Sequence, residues 1–118
     1  MTFIIHGETP PKKNSRINTR SGRSFPSRRF IDWHMAASLE VLSQKKGAMV
    51  DSPCRIKMIF THGDMRPRDS DNQASSILDL FKDNEIISDD NWRIVRQLHI
   101  ENEYVKNKPC CKIEVEVL

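Results

Sequence analysis

The change of hydrophobic period between residues 54 and 117 constrains the fold of this chain more than any other feature of its sequence. Apolar residues first alternate with charged ones, as in a strand, at Cys54, Ile56, Met58 and Phe60. The period then becomes that of a helix, at Ala74, Ile77, Leu78 and Phe81. Alternation returns twice, at Trp92, Ile94, Leu98 and Ile100, interrupted by Arg96, and at Cys111, Ile113, Val115 and Val117. Three strands and one helix are therefore predicted in this region.

The first half of the chain adds a strand, a long loop and a helix. Residues 3 to 6 read as a short strand, and residues 8 to 26 carry three prolines and many polar residues, which predicts a long loop. Ser27 is a suitable N-cap for a helix with apolar positions at Phe30, Trp33, Ala37 and Val41. Gly47 is a natural stop for this helix. The second helix is expected over residues 72 to 82, with Asn84 in the left-handed conformation at its end.

The resulting order, β-α-β-α-β-β, predicts a single α+β domain over residues 1 to 118, with two helices packed on a mixed four-stranded sheet. Residues 101 to 110 are expected to form the hairpin between the last two strands. Trp33, Phe81 and Trp92 are expected in the core. The three cysteines form no CxxC pair, so Cys54 and Cys111 are interpreted as small core residues.

No apolar run approaches the ~20 residues that a membrane-spanning helix needs. The N-terminus lacks a basic segment followed by a long apolar stretch, so a signal peptide is not expected. A cytoplasmic protein without membrane contact is the expectation.

Carboxylates concentrate in one segment, although the chain as a whole has a net charge of +3. Asp69 and Asp71 follow the second strand, and in extended backbone residues two apart point the same way. Asp89 and Asp90 precede the third strand. If that strand pairs beside the second, strand ends are expected to bring three or four of these carboxylates together around a hard cation, Mg²⁺ or alternatively Mn²⁺. The other interpretation is structural, with acids at a helix start and a simple turn.

A basic stretch offsets these acids. From residue 9 to residue 31 there is no acid and there are seven bases: Lys12, Lys13, Arg16, Arg20, Arg23, Arg28 and Arg29. Such a stretch suits a phosphate backbone, because each neutralised phosphate releases counterions. The alternative is a solvated loop. Metal-binding carboxylates beside a nucleic-acid surface are the chemistry of a metal-dependent nuclease.

Several motifs then resemble one known family. The opening loop GETPPKKNSR spans residues 7 to 16, and RPRDSDN spans residues 66 to 72, followed by Asp79 and by Ser88-Asp89-Asp90. This pattern resembles the RusA family of Holliday-junction resolvases, which are common in phages and prophages. The resemblance covers nearly the whole chain.

The resemblance implies a homodimer that cuts two opposing strands of a four-way DNA junction with Mg²⁺, in DNA recombination and repair. It implies that Asp69, Asp71 and Asp90 are catalytic metal ligands. Asp89 then either supports the ligands or belongs to a turn, and Asp79 either supports them or is structural. The DNA-binding bases are expected to be Lys12, Lys13, Arg16, Arg20, Arg23, Arg28, Arg29, Arg66 and Arg68. Phe25 is a candidate for an aromatic wedge at the junction centre.

One position departs from the family. A lysine is usual four residues after the second aspartate of D-x-D, and this chain has Ser75 there. Lys82 starts ~10 Å further along the helix and is a poor substitute. Arg66, Arg68, Lys12 or Lys13 could supply the charge instead. The alternatives are a junction-binding protein with weak or no nuclease activity, and a domain that recognises another protein through its acidic face.

Overall fold

A mixed four-stranded sheet and two helices form the body of the chain, which confirms the predicted α+β architecture. The computed structural model describes residues 1–12, 16–22 and 24–118, apart from the side chain of Arg16. Its elements are β1 (Thr2–His6), β2 (Arg16–Asn18), β3 (Ser24–Pro26), α1 (Arg28–Gln44), β4 (Cys54–His62), α2 (Ser70–Asp83), β5 (Val95–Tyr104) and β6 (Cys110–Val117). No helix in these ranges is long and apolar enough to cross a membrane.

The main sheet has the order β1-β6-β4-β5. Strand β6 runs antiparallel to β1 and to β4, whereas β5 runs parallel to β4. In the middle of the sheet Met58 lies opposite both Ile113 and Ile100. Strand β4 is therefore central, and β1 and β5 are the two edges.

The core fills the space between one face of this sheet and the helices. Helix α2 buries Ile77, Leu80 and Phe81, and the Phe81 ring meets Phe3 of β1 edge-on at 5.0 Å between centroids. Burying each such side chain stabilises the fold by about 1.5–3 kcal/mol. The remaining fully buried apolar residues include Ile5, Cys54, Ile56, Met58, Phe60, Ile86, Ile87, Cys111 and Ile113. The core role predicted for Cys54 and Cys111 is confirmed.

The caps of the helices explain where they begin and end. Ser27 caps α1 as predicted, because the Phe30 N–H donates to its Oγ at 3.2 Å. Helix α1 ends at Gln44, three residues before Gly47. At the end of α2 the prediction for Asn84 is wrong: its φ is −97°, and the positive φ of 55° falls on Glu85 instead. Asn84 closes the helix with its own amide, which donates to the Leu80 carbonyl at 2.9 Å.

Two predictions about connections are also wrong. The predicted loop over residues 8 to 26 contains the small hairpin of β2 and β3, in which Ile17 pairs with Phe25. Residues 101 to 110 are not a hairpin connection, because β4 lies between β5 and β6 in the sheet. Strand β5 itself continues to Tyr104.

Trp92 was expected in the core but is 70% exposed. Residues 91 to 94 form a turn rather than a strand, because the Asn91 side chain accepts the Arg93 N–H at 2.9 Å and the Asn91 carbonyl accepts the Val95 N–H at 2.8 Å. An asparagine that bonds to backbone two residues on stops strand formation. Trp33 packs partly buried against the core, and Phe81 is fully buried.

Candidate functional site

Asp69 and Asp71 lie together at the N-terminus of α2. Asp69 is the N-cap, and Asp71 is in the first turn. The Asp69 carboxylate makes no side-chain cap bond, and its Oδ2 accepts only a 3.3 Å bond from Asn72. Both residues are exposed. The helix N-terminus stabilises negative charge, so two ionised carboxylates are favourable here.

Asp69 and Asp71 are close to one another, but not because of the extended backbone that was predicted for them. The backbone from Ser70 onward is helical, so residues 69 and 71 are not the i and i+2 positions of an extended segment. Their proximity comes from the cap position and the first turn of one helix. The D-x-D spacing therefore marks a helix start rather than a strand end.

Asp89 and Asp90 lie at the other end of α2. Because β4 and β5 are neighbours that run parallel, the last residues of β4 and the first residues of β5 lie at opposite ends of the strand pair. Lys82, in the last turn of α2, lies 3.7 Å from Asp89. From Asp71 to Lys82 the helix rises by ~16 Å. A single chain therefore does not bring Asp90 to Asp69 and Asp71.

The loop at that second end is held by a local bond. The Asp90 N–H donates to Asp89 Oδ1 at 2.7 Å. This bond, above all other causes, lowers the pKa of Asp89 below its ordinary value, with a further contribution from the Lys82 charge. The Asp90 side chain itself is exposed.

A polar network lies directly behind the α2 N-terminus, centred on Glu8. The Glu8 carboxylate accepts bonds from Gln73 Nε2 at 2.9 Å and from His62 Nδ1 at 3.0 Å, and Arg68 Nε lies 3.3 Å away. The side chains of Glu8, His62 and Arg68 are only 14–17% exposed. These three side chains have little contact with water. The network tolerates this because the carboxylate forms hydrogen bonds and ion pairs with the other two groups.

The same network reaches β5 through the second nitrogen of His62. His62 Nε2 lies 2.8 Å from Asn102 Oδ1, and Asn102 Nδ2 donates to Ser70 Oγ at 3.0 Å. Both ring nitrogens of His62 therefore have a polar partner. The first residue of α2 is thereby tied to the C-terminal half of β5.

Sequence reasoning missed this network. Its side-chain hydrogen bonds join residues that are 32 to 65 positions apart along the chain, so no local spacing predicts them. The one local signal is a polar residue, His62, closing the alternating apolar run of β4.

The basic arm, which is the segment with seven bases between residues 9 and 31, begins beside the same helix end. Gln73 Nε2 donates to the Thr9 carbonyl at 2.7 Å, Ser76 Oγ donates to the Pro10 carbonyl at 2.6 Å, and the Lys12 N–H meets the Asn72 carbonyl at 3.5 Å. These bonds fix the root of the β2–β3 hairpin next to the first turn of α2.

The predicted DNA-binding bases differ in their surroundings. Arg68 is 17% exposed and is held by Glu8 and by Asp64, at 2.9 Å, while Lys12 Nζ contacts Asp79 Oδ1 at 2.9 Å. Arg66 is 83% exposed, and Arg28 is exposed but pairs with Asp32 at 3.0 Å. Arg20, on the basic arm, and Arg29, on α1, are exposed as well. Lys13, Arg23 and the side chain of Arg16 lie outside the described part of the chain.

Position 75 lacks the positive charge that the resemblance implies. Ser75 is exposed, and its hydroxyl donates to the Asp71 carbonyl at 3.0 Å, one turn earlier. Lys12 and Arg68, the described bases nearest this turn, are both engaged by carboxylates. Lys82 lies at the opposite end of the helix, as the helical rise predicts.

Within the described residues, one group of three or more potential metal ligands has its atoms within 4.8 Å of one another: His34, Asp79 and Asp83. His34 Nε2 lies 3.0 Å from Asp83 Oδ2, and the Lys12 ammonium occupies one oxygen of Asp79. This group is internally paired. It does not contain Asp69, Asp71 or Asp90.

Comparison with known proteins supports the resemblance seen in the motifs. No protein-family model matches the chain. The chain is similar to the crossover junction endodeoxyribonuclease RusA of Aquifex aeolicus (strain VF5), with 28% identity over 98 residues, which cover 83% of this chain and 76% of that protein.

Proposed function

We propose that this chain is a divalent-metal-dependent endodeoxyribonuclease that cuts branched DNA, with the four-way junction as its substrate. One observation carries the proposal: the D-x-D carboxylates are exposed at the N-terminus of α2, beside the root of the basic arm. The similarity to a crossover junction endodeoxyribonuclease over 83% of the chain supports the same substrate class.

The proposed ligands are Asp69, Asp71 and Asp90. Mg²⁺ prefers oxygen ligands and is commonly held by one or two carboxylates, waters and substrate phosphates, which suits two exposed aspartates at a helix start. Mn²⁺ accepts the same ligands. A bound divalent ion polarises the scissile phosphate and makes a water nucleophilic at neutral pH.

The rest of the chain positions DNA and carboxylates. The Glu8 network fixes Arg68, Gln73 and hence the first turn of α2, so the two carboxylates are held in one place. The basic arm neutralises flanking phosphates, while exposed Arg66 extends this surface past the helix start. Paired cleavage of a two-fold symmetric junction calls for two active sites, and we propose a homodimer for this reason.

The test is a labelled synthetic four-way junction incubated with Mg²⁺ or with EDTA. Symmetric nicks are expected with Mg²⁺ alone. Asp71→Asn is expected to lower the rate at least about 100-fold, since even residues that only support metal ligands cost 10- to 100-fold. Asp51→Asn, at an exposed acid just before β4, is the matched control and keeps the wild-type rate. Cleavage in EDTA, or an active Asp71→Asn, contradicts the proposal.

A junction-binding protein without nuclease activity is the second candidate, and Ser75 favours it. Lys12 and Arg68, two described bases beside the first turn of α2, are both paired with carboxylates. This candidate predicts tight, salt-sensitive junction binding without nicks, and cleavage on Ser75→Lys. Nicking by the wild-type protein excludes it.

A further inference from the structure

We propose that a pocket at the C-terminal ends of β4 and β5 receives one unpaired nucleobase of the branched DNA, which stacks on Tyr104. The pocket has a volume of about 300 Å³, and its lining includes Tyr104, Met65 and Arg66. This inference rests on the proposed function, since it takes branched DNA as the ligand. It adds a binding site for a base to a surface that otherwise contacts only phosphates.

The pocket lies at the same end of the sheet as the candidate metal ligands. Strands β4 and β5 are parallel, and their last residues, His62 and Tyr104, are neighbours in the sheet. Asn102, which also lines the pocket, donates to the hydroxyl of Ser70, the first residue of α2, at 3.0 Å. A nucleotide with its base in this pocket therefore lies next to the α2 N-terminus, where the proposed cleavage takes place.

The exposed side chains of the pocket suit the flat face of a base. Tyr104 is 48% exposed and Met65 is 76% exposed. Alternation along β5 places Tyr104 on the same face of the sheet as Ile100, which packs against the core, so the tyrosine lies on the side of the sheet that α2 covers. Proteins bind unpaired bases by stacking them on such rings. The volume is at the lower end of the ~300–1,000 Å³ of small-ligand sites, so it admits one base rather than a base pair.

The charges of the pocket favour a base over a phosphate. Two lining residues are acids, Asp64 and Glu103, and one is an arginine, Arg66. Carboxylates repel a phosphodiester but leave an uncharged base unaffected. Arg66 is 83% exposed at the rim, so it can hold the phosphate of the nucleotide whose base is inside.

The two carboxylates also discriminate between bases. Asp64 Oδ1 accepts the Arg66 N–H at 3.0 Å, and Glu103 Oε1 accepts the Thr61 hydroxyl at 2.6 Å, so both groups are held in place. An ionised carboxylate only accepts hydrogen bonds, and it has sites for several. Adenine, cytosine and guanine carry an exocyclic amino group that can donate to it, whereas thymine carries none. The pocket is therefore expected to prefer these three bases to thymine.

A second pocket, of about 230 Å³, does not serve this purpose. It lies on α1 and is lined by Phe30, His34 and Met35 among others. His34 Nε2 lies 3.0 Å from Asp83, the last residue of α2, so this pocket is at the opposite end of that helix from the metal ligands. Met35, which is 64% exposed, supplies a matched control.

The test removes one base from the DNA and one ring from the protein. Each nucleotide flanking the branch is placed in turn as a mismatched base and as an abasic site, so that the cost of unpairing is absent from both junctions. Affinity is measured by gel shift in EDTA, where the strands stay intact. At one position the wild-type protein is expected to prefer the base to the abasic site by at least about 5-fold, the effect of one base stacked on an aromatic ring. Tyr104→Ala is expected to lose this preference and to keep the wild-type Tm, because the residue is half exposed at the end of an edge strand.

The control variants separate the pocket from general effects on DNA binding. Tyr104→Phe keeps the ring and Met35→Ala lies in the second pocket, so both are expected to keep the preference. A wild-type protein without the preference at any position overturns the proposal, as does a Tyr104→Ala protein that retains it. Dissociation of Tyr104→Ala into monomers, seen by sedimentation, would show that the pocket holds a side chain of a second copy instead. Equal binding of thymine and the other bases at that position overturns the discrimination assigned to the carboxylates. A wild-type protein that shows the preference but makes no nicks with Mg²⁺ contradicts the proposed nuclease activity alone.

Discussion

The carboxylate of Glu8 holds together the network behind the α2 N-terminus, and Glu8→Gln removes its charge while keeping its shape. The substitution removes the carboxylate that Arg68 and His62 share, whose side chains are 17% and 14% exposed, and leaves Asp64 as the remaining anion of Arg68. Breaking a buried ion pair by removing one partner costs about 3–5 kcal/mol when the remaining charge is desolvated and unpaired. Because Arg68 keeps Asp64 and the amide retains one acceptor oxygen for Gln73 or His62, the lower end, about 3 kcal/mol, is expected.

This loss is measurable in two independent ways. Unfolding in urea, followed by circular dichroism, gives the free energy of unfolding with the slope unchanged. At about 2.1 cal/mol/K of unfolding entropy per residue, 118 residues give about 250 cal/mol/K, so 3 kcal/mol lowers Tm by about 12 °C.

The matched control is Glu116→Gln. Glu116 also pairs with an arginine, Arg55, at 2.8 Å, but it is 65% exposed on the open face of the sheet. An exposed pair of this kind contributes no more than about 1 kcal/mol. If Glu8→Gln costs no more than Glu116→Gln, the network does not stabilise the helix start and its proposed role in positioning Asp69 and Asp71 is wrong.

Two further predictions concern the protonation of particular groups. Burial raises the pKa of the Cys54 and Cys111 thiols, so both stay neutral and unreactive at pH 8, and a thiol reagent such as dithionitrobenzoate is expected to modify only the partly exposed Cys110 until the protein unfolds. The backbone N–H of Asp90 lowers the pKa of Asp89, so the Asp89 carboxyl is expected to titrate below the usual aspartate range when followed by NMR. The bond stabilises the loop at pH values above that range, and this stabilisation is lost as the pH falls through the folded pKa. A titration midpoint in the usual range contradicts this prediction.

Local sequence patterns predicted the elements of this fold because periodicity is a local property. The stripe through Ile77 and Phe81 requires only that one helix face be apolar, and the structure buries both residues. Ser27 acts as N-cap through a bond to a residue three positions away. The errors at element boundaries have equally local causes, such as the Asn91 side chain that replaces the first residues of the predicted third strand with a turn.

Strand direction is not a local property, and it decides the geometry of the candidate site. The expectation that Asp90 meets Asp69 and Asp71 used only the adjacency of β4 and β5, which is correct. Adjacent parallel strands, however, bring like ends together, and Asp90 precedes one strand whereas Asp69 follows the other. Whether the two strands run parallel or antiparallel depends on α2, which returns the chain to the end of the sheet where β4 begins.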